Sequence, residues 1–189
     1  MYDVYILLTR STTYFSRLIR LVTADEYTHA SIGFDGISGE FYSFGRKNSH
    51  LILPAGFVIE RIQAEQIYSG MTYYTLYKVQ VSKTDYDRII RYIKSIYKNN
   101  ELYSYNILGV LATFFGLVIQ RQHHFYCSQF VAKALSNSKL GKYIESTDKI
   151  KPADLSSIPN IQVVSYGYIG GLGRVEEHQA LKQLNYKDN

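Results

Sequence analysis

Short apolar segments with strand-like patterns dominate the first half of the chain. Residues 4–9 form a compact β-rich run, and residues 28–34 and 40–44 flank a glycine-containing connection. Connections of this kind and length are typical of β-hairpins. Residues 56–62 are another strand candidate, and residues 73–81 alternate at period two. The pattern predicts a mainly antiparallel sheet built from consecutive strands.

Helical spacing indicates helices between and after these strands. Phe15, Leu18, Ile19 and Val22 fall on one face after the first strand. A second helix follows residue 81, with Thr84 as the expected N-cap and Asp87 at the capping-box position. Its apolar face comprises Tyr86, Ile89, Ile90, Ile93, Ile96 and Tyr97. Runs of strands followed by helices are typical of the α+β class.

The last third of the chain contains one long apolar run, a short helix and a final strand. Residues 107–119 are continuously apolar and predict a buried helix, with a lipid- or substrate-facing surface as the alternative. Residues 127–138 predict a short helix, and residues 161–168 predict the last strand. We therefore expect one domain over residues 1–189, with its core at about 2–170 and a polar tail at 174–189.

Composition narrows the class of function. The net charge is +5 in 189 residues, but no block of like charges stands out. Nucleic-acid binding, based on charge alone, therefore ranks last, while a weak membrane-surface contact stays open.

The N-terminus lacks a basic region before a long apolar stretch, so we expect no signal peptide. Residues 107–119 are too few to span a bilayer, which needs about 20 apolar residues. The expected location is cytoplasmic.

Cys127 is the single cysteine of the chain and begins a predicted helix. The free N–H groups and positive dipole end of a helix N-terminus stabilise a thiolate, and they can also bind an oxyanion. The residues leave two alternatives open, a reactive thiol and a small side chain packed in the core.

A nucleophilic thiol needs a base, and His29 is the histidine best placed to supply one. It opens the strand at residues 28–34, whereas His123 and His124 fall in a polar stretch close to Cys127. A base must be held by a rigid element, and a strand meets that requirement. The two adjacent histidines lack a nearby carboxylate with ligand spacing, so we expect no metal and no cofactor.

These segments resemble a known superfamily. Residues 28–36, THASIGFDG, resemble the histidine strand of the NlpC-type papain-like cysteine hydrolases. There the cysteine usually precedes the histidine. Here His29 comes about a hundred residues before Cys127, an order similar to the circularly permuted branch, which includes the YiiX-like hydrolases and the lecithin:retinol acyltransferase group. Residues 152–155, PADL, are also similar to the end of permuted domains. The resemblance covers roughly residues 2–170.

The resemblance implies that the cysteine helix packs on the sheet beside the histidine. His29 would then activate Cys127, and a polar residue in the next antiparallel strand would orient His29. Counting back from the turn selects Ser43 for that third position, although the superfamily usually has a charged or amide side chain there. Tyr5 and Tyr126 are candidate oxyanion donors, with core packing as the alternative for each.

Two functions follow from this interpretation. The first is a cysteine hydrolase or acyltransferase that forms an acyl-enzyme from a peptide, amide or lipid-like acyl substrate. The second is a degenerate, non-catalytic binding module of the same fold, because a serine at position 43 carries no charge to stabilise an imidazolium. The sequence does not determine the oligomeric state.

Overall fold

A seven-stranded antiparallel sheet organises the domain. The structure, a computed structural model, describes residues 1–11, 25–46, 55–63, 72–105 and 123–174. The predicted helix around Phe15, the apolar run at 107–119 and the tail beyond Arg174 lie outside these described residues.

Six strands correspond to the predicted ones, with ends that differ by up to two residues, whereas the sequence pattern did not indicate the strands at Ser104–Tyr105, His124–Phe125 and Gly171–Arg174. The hairpin predicted for residues 28–44 is confirmed, because the second and third strands pair antiparallel. The strands of the large sheet are β1 (Tyr2–Arg10), β2 (His29–Gly33), β3 (Phe41–Arg46), β4 (Ala55–Gln63), β5 (Thr72–Val81), β8 (Gln162–Ile169) and β9 (Gly171–Arg174). Across the sheet they lie in the order β8-β5-β1-β2-β3-β4-β9. Two short strands, β6 (Ser104–Tyr105) and β7 (His124–Phe125), form a separate parallel pair.

Two helices lie on one face of the large sheet. They are α1 (Lys83–Lys98) and α2 (Cys127–Ser136), and α2 packs against β2 and β3. Alternation along the strands gives the sheet two apolar faces. Ile6, Ile32 and Phe44 pack with the helices, whereas Leu7, Phe41 and Leu76 belong to a second cluster. The α+β class and the mostly antiparallel sheet are therefore confirmed.

The start of α1 differs from the sequence prediction. Ser82, not Thr84, is the N-cap, and its hydroxyl accepts a hydrogen bond from the backbone N–H of Asp85. The Ser82 hydroxyl also donates to the Asp85 carboxylate at 2.9 Å. The capping pair is thus shifted by two residues from Thr84 and Asp87, because Ser82 has extended backbone geometry at the point where β5 ends.

Loops and short 3-10 segments connect α2 to the last strands. The segments Lys139–Tyr143 and Ala153–Ser157 lie between the predicted helix at residues 127–138 and the predicted strand at residues 161–168. No helix among the described residues is both long and apolar enough to cross a membrane. In the same part of the chain, no group of three acidic, histidine or cysteine side chains is arranged to hold a metal ion.

Candidate active site

Cys127 is the first residue of α2, as the sequence predicted. The preceding residue, Tyr126, is the N-cap and provides no side-chain hydrogen bond to the helix. The first helical hydrogen bond runs from the Phe130 N–H to the Tyr126 carbonyl. The N–H groups of the first turn therefore have no side-chain cap and remain suited to an anion. The thiol is free and buried, with the residue 6% exposed.

His29 is the first residue of β2 and lies beside Cys127. The two side chains are close enough for Cys127 to raise the pKa of His29. The His29 side chain is 19% exposed, so the pair sits at the edge of the buried core with access from solvent. The structure thus brings together the two residues that the sequence selected as nucleophile and base.

The residue that completes this arrangement is Glu60, which the sequence analysis missed. Its two carboxylate oxygens lie 3.1 and 2.9 Å from Nε2 of His29. The Glu60 side chain is completely buried. Since Nε2 faces this carboxylate, Nδ1 is the ring nitrogen left for the thiol. His29 is therefore next to a carboxylate and a thiol, groups of the kind that form a catalytic triad with histidine.

Glu60 comes from β4, two strands away from β2 in the sheet. Its register partner on β3 is Phe41, which itself pairs with Gly33 at the far end of β2. His29 and Glu60 therefore meet diagonally across β3. Such a contact needs a strongly twisted sheet, because twist brings side chains of non-neighbouring strands together on one face.

The charges and hydrogen bonds around His29 favour the protonated, positively charged form of its imidazole. Burial alone would lower the pKa of His29, but the negative charge of Glu60 and the hydrogen bonds to Cys127 and Glu60 outweigh it. The balance raises the pKa of His29 from 6.5 to about 10. The ring is thus protonated at neutral pH.

The prediction that Ser43 orients His29 is wrong. The Ser43 hydroxyl donates to the backbone carbonyl of Ala30 at 2.6 Å, and more weakly to that of Phe44 at 3.4 Å. Ser43 is completely buried on β3 and pairs with Val58 of β4. Continuing the ladder from Ile32 and Tyr42 sets Gly45, not Ser43, opposite His29. Ser43 thus ties β3 to β2, and Glu60 takes the third position.

The two tyrosines predicted as oxyanion donors have different surroundings. The Tyr126 hydroxyl is buried next to the nucleophile and has no hydrogen-bond partner among the described residues. Burial raises the pKa of Tyr126, as do the nearby charges of Cys127 and Asp148, so its hydroxyl keeps its proton. Tyr5 pairs with Gly33 and packs near Gly36, at the other end of β2 from His29. Tyr5 is therefore not brought to the thiol.

One feature of the sequence marks Glu60 as a candidate for a buried, partnered acid. It is the only acidic residue within the apolar strand candidate at residues 56–62. A carboxylate that is fully buried in a strand needs a charged or hydrogen-bonding partner. The other buried acid of this region, Glu40, has its own partners, because it accepts hydrogen bonds from Arg61 and Tyr42.

Comparison with known proteins does not identify the chain. It matches no protein-family model, and a search of curated proteins finds no relative. The resemblance to the NlpC-type hydrolases therefore stays a prediction from the sequence.

Proposed function

We propose that this protein is a cysteine-dependent acyl-transfer enzyme, a hydrolase or transferase acting on an amide, thioester or ester. Cys127 is its nucleophile, His29 its general acid and base, and Glu60 the residue that orients and charges His29. The observation that carries the proposal is the position of the His29 ring, 2.9 Å from the Glu60 carboxylate and close enough to the Cys127 thiol for that thiol to raise the pKa of His29.

The mechanism begins from a thiolate beside an imidazolium. The Cys127 sulfur attacks the substrate carbonyl carbon, forming a C–S bond and a tetrahedral oxyanion. The His29 N–H then gives its proton to the leaving group, and the bond from carbon to that group breaks. Water or another acceptor enters, loses a proton to His29 and attacks the acyl carbon. The C–S bond breaks, which restores the thiolate and the imidazolium.

Glu60 keeps the ring of the base in one orientation and stabilises its charged form each time it is protonated. A fully buried carboxylate at 2.9 Å from Nε2 fixes the ring and stabilises its positive charge. A neutral serine would do this less well. The presence of Glu60 removes the reason for a degenerate binding module, which rested on Ser43 as the third residue.

The oxyanion would be stabilised at the start of α2. The Cys127 backbone N–H lies in an uncapped first turn, and the Tyr126 hydroxyl is a protonated donor that has no other partner among the described residues. Preorganised donors of this kind are typically worth about 10²–10³-fold in kcat.

The architecture supports a permuted NlpC-type domain. A histidine strand precedes the cysteine helix in the chain, and that helix packs on an antiparallel sheet. In this proposal the acid comes from β4 instead of the strand next to the histidine. The substrate classes consistent with the site are peptides, amides and lipid-like acyl groups.

Formation of an acyl-enzyme tests the proposal. The purified protein is incubated with p-nitrophenyl acetate, and intact mass spectrometry follows acetylation. We expect one acetyl group, located by peptide mapping on Cys127, and none on the Cys127→Ser or His29→Gln variants under the same conditions. Acetylation at lysines only, or equal acetylation of the His29→Gln variant, would overturn the proposal.

A further inference from the structure

The contact between His29 and Glu60 crosses the middle of β3. Glu60 is the register partner of Phe41, which also pairs with Gly33 on β2. Residues that pair directly in an antiparallel ladder share one face of the sheet, and alternate residues of a strand return to that face. His29 and Glu60 therefore share a face with Phe41 and Ser43. The diagonal from Glu60 to His29 passes over the position of Ser43.

On this face, β3 has only small residues next to His29. Ser43 is followed by Gly45, which pairs with a second glycine, Gly56 of β4. Neither glycine has a positive φ, so the backbone conformation does not require glycine at these positions. A glycine inside a strand weakens the strand and often marks a place where another group approaches closely. The group that crosses here is the pair formed by His29 and Glu60.

A hydrogen bond directs the Ser43 side chain into the sheet. Its hydroxyl donates to the main-chain carbonyl of Ala30 on β2 at 2.6 Å. Among the described residues, main-chain pairing between β2 and β3 ends with Ile32 and Tyr42, whereas β2 stays paired with β1 as far as His29. The serine hydroxyl thus joins the two strands where their ladder stops, and it does not extend over β3.

We infer that Ser43 and Gly45 are positioning residues of the candidate site, because their small size leaves the space through which Glu60 reaches the ring of His29. They act through the His29–Glu60 ion pair and not by a hydrogen bond to the ring. Protein interiors are close-packed, so a larger side chain at either position would displace the carboxylate. The effect on acyl transfer rests on the proposed function, whereas the effect on the ion pair does not.

Substitutions that change only the size of these residues test the inference. Ser43→Ala removes the hydroxyl without adding volume, Ser43→Thr adds one methyl group, and Ser43→Val adds bulk without a hydroxyl. Gly45→Val tests the second position. The matched control is Ala30→Val, since Ala30 is equally buried but packs in the cluster on the helix side of the sheet. The measured quantity is the pKa of His29, from NMR titration of its imidazole, and urea unfolding identifies the variants that fold.

We expect the pKa of His29 to be about 10 in the wild type, in Ser43→Ala and in Ala30→Val. In Ser43→Val and Gly45→Val it should fall toward 6.5, with Ser43→Thr in between, because the charge of Glu60 no longer lies beside the ring. The rate of Cys127 acetylation should fall in the same variants, by roughly 10²–10⁴-fold in the valine variants.

A pKa of His29 that stays at about 10 in the folded valine variants, or that falls equally in Ala30→Val, would overturn the inference. If the valine variants do not fold, Ser43→Thr decides, and an unchanged pKa in that protein would overturn it. An ordinary pKa of 6.5 in the wild type would also overturn it, since there would be no ion pair to position. A raised pKa in a wild type whose Cys127 is not acetylated would instead contradict the proposed function alone.

Discussion

The carboxylate of Glu60 reaches the ring of His29 from two strands away and lies 2.9 Å from Nε2. The same ring lies close enough to the Cys127 thiol for that thiol to raise the pKa of His29. The cysteine at a helix start, the histidine at a strand start and the buried glutamate therefore lie together in one candidate site.

Glu60→Gln removes the charge that raises the pKa of His29 but keeps the size of the side chain. We expect the rate of Cys127 acylation by p-nitrophenyl acetate to fall by roughly 10²–10⁴-fold, the range for loss of a working acid–base group. The matched control is Glu40→Gln. Glu40 is an equally buried acid that is ion-paired to Arg61, away from the thiol. If both variants lose the same activity, Glu60 has no specific role in catalysis.

Stability should depend on pH through His29. Its pKa is raised from 6.5 to about 10, so the stabilising charge is fully present below about pH 6.5 and is lost as pH rises through about 10. Between these values the folded state binds more protons than the unfolded state, and stability falls with increasing pH. Urea unfolding at pH 6 and pH 9.5 measures this loss. We expect a larger loss for the wild type than for His29→Gln, and equal losses would contradict the assignment.

The Tyr126→Phe variant tests whether Tyr126 donates a hydrogen bond to the oxyanion or only packs in the core. Its buried hydroxyl has no partner among the described residues, so removing the oxygen should not destabilise the fold. We expect kcat with an ester substrate to fall by about 10²-fold, with an unchanged urea midpoint. Tyr5→Phe, at the far end of β2, is the matched control with unchanged kcat. A full rate in Tyr126→Phe would exclude the hydroxyl as a donor.

Ser43→Ala tests the corrected role of Ser43. Losing its 2.6 Å hydrogen bond leaves the buried Ala30 carbonyl without this donor, and we expect a cost of about 1–3 kcal/mol in unfolding free energy. The rate of Cys127 alkylation in the folded protein should be unchanged, since Ser43 has no hydrogen bond to His29. A large loss of alkylation rate without a loss of stability would restore Ser43 to the site.

The positions of Cys127 at a helix start and His29 at a strand start were predictable because each depends on local patterns. Alternation marks the strand that begins at His29, and helical spacing marks the helix that begins at Cys127. Their proximity follows from a helix that packs on the sheet. The resemblance to a permuted hydrolase implied this packing, whereas composition and periodicity did not.

The third residue was not predictable because it depends on register and twist across three strands. Counting from the turn placed Ser43 opposite His29, yet the β2–β3 ladder contains Ile32 with Tyr42 and Gly33 with Phe41. Its continuation shifts the partner of His29 to Gly45. No local pattern encodes the diagonal contact from His29 to Glu60. A buried glutamate in an apolar strand was the only available sign.

Alkylation of Cys127 tests the central claim most directly. Because the chain has one cysteine, intact mass reports its modification by iodoacetamide without ambiguity. An ordinary thiol, with a pKa of about 8.5, is almost unreactive at pH 6. We predict rapid alkylation of the wild type at pH 6, and much slower alkylation of His29→Gln and Glu60→Gln, with Glu40→Gln resembling the wild type. Alkylation that is equally slow in the wild type and in His29→Gln would contradict a nucleophile activated by the His29–Glu60 pair.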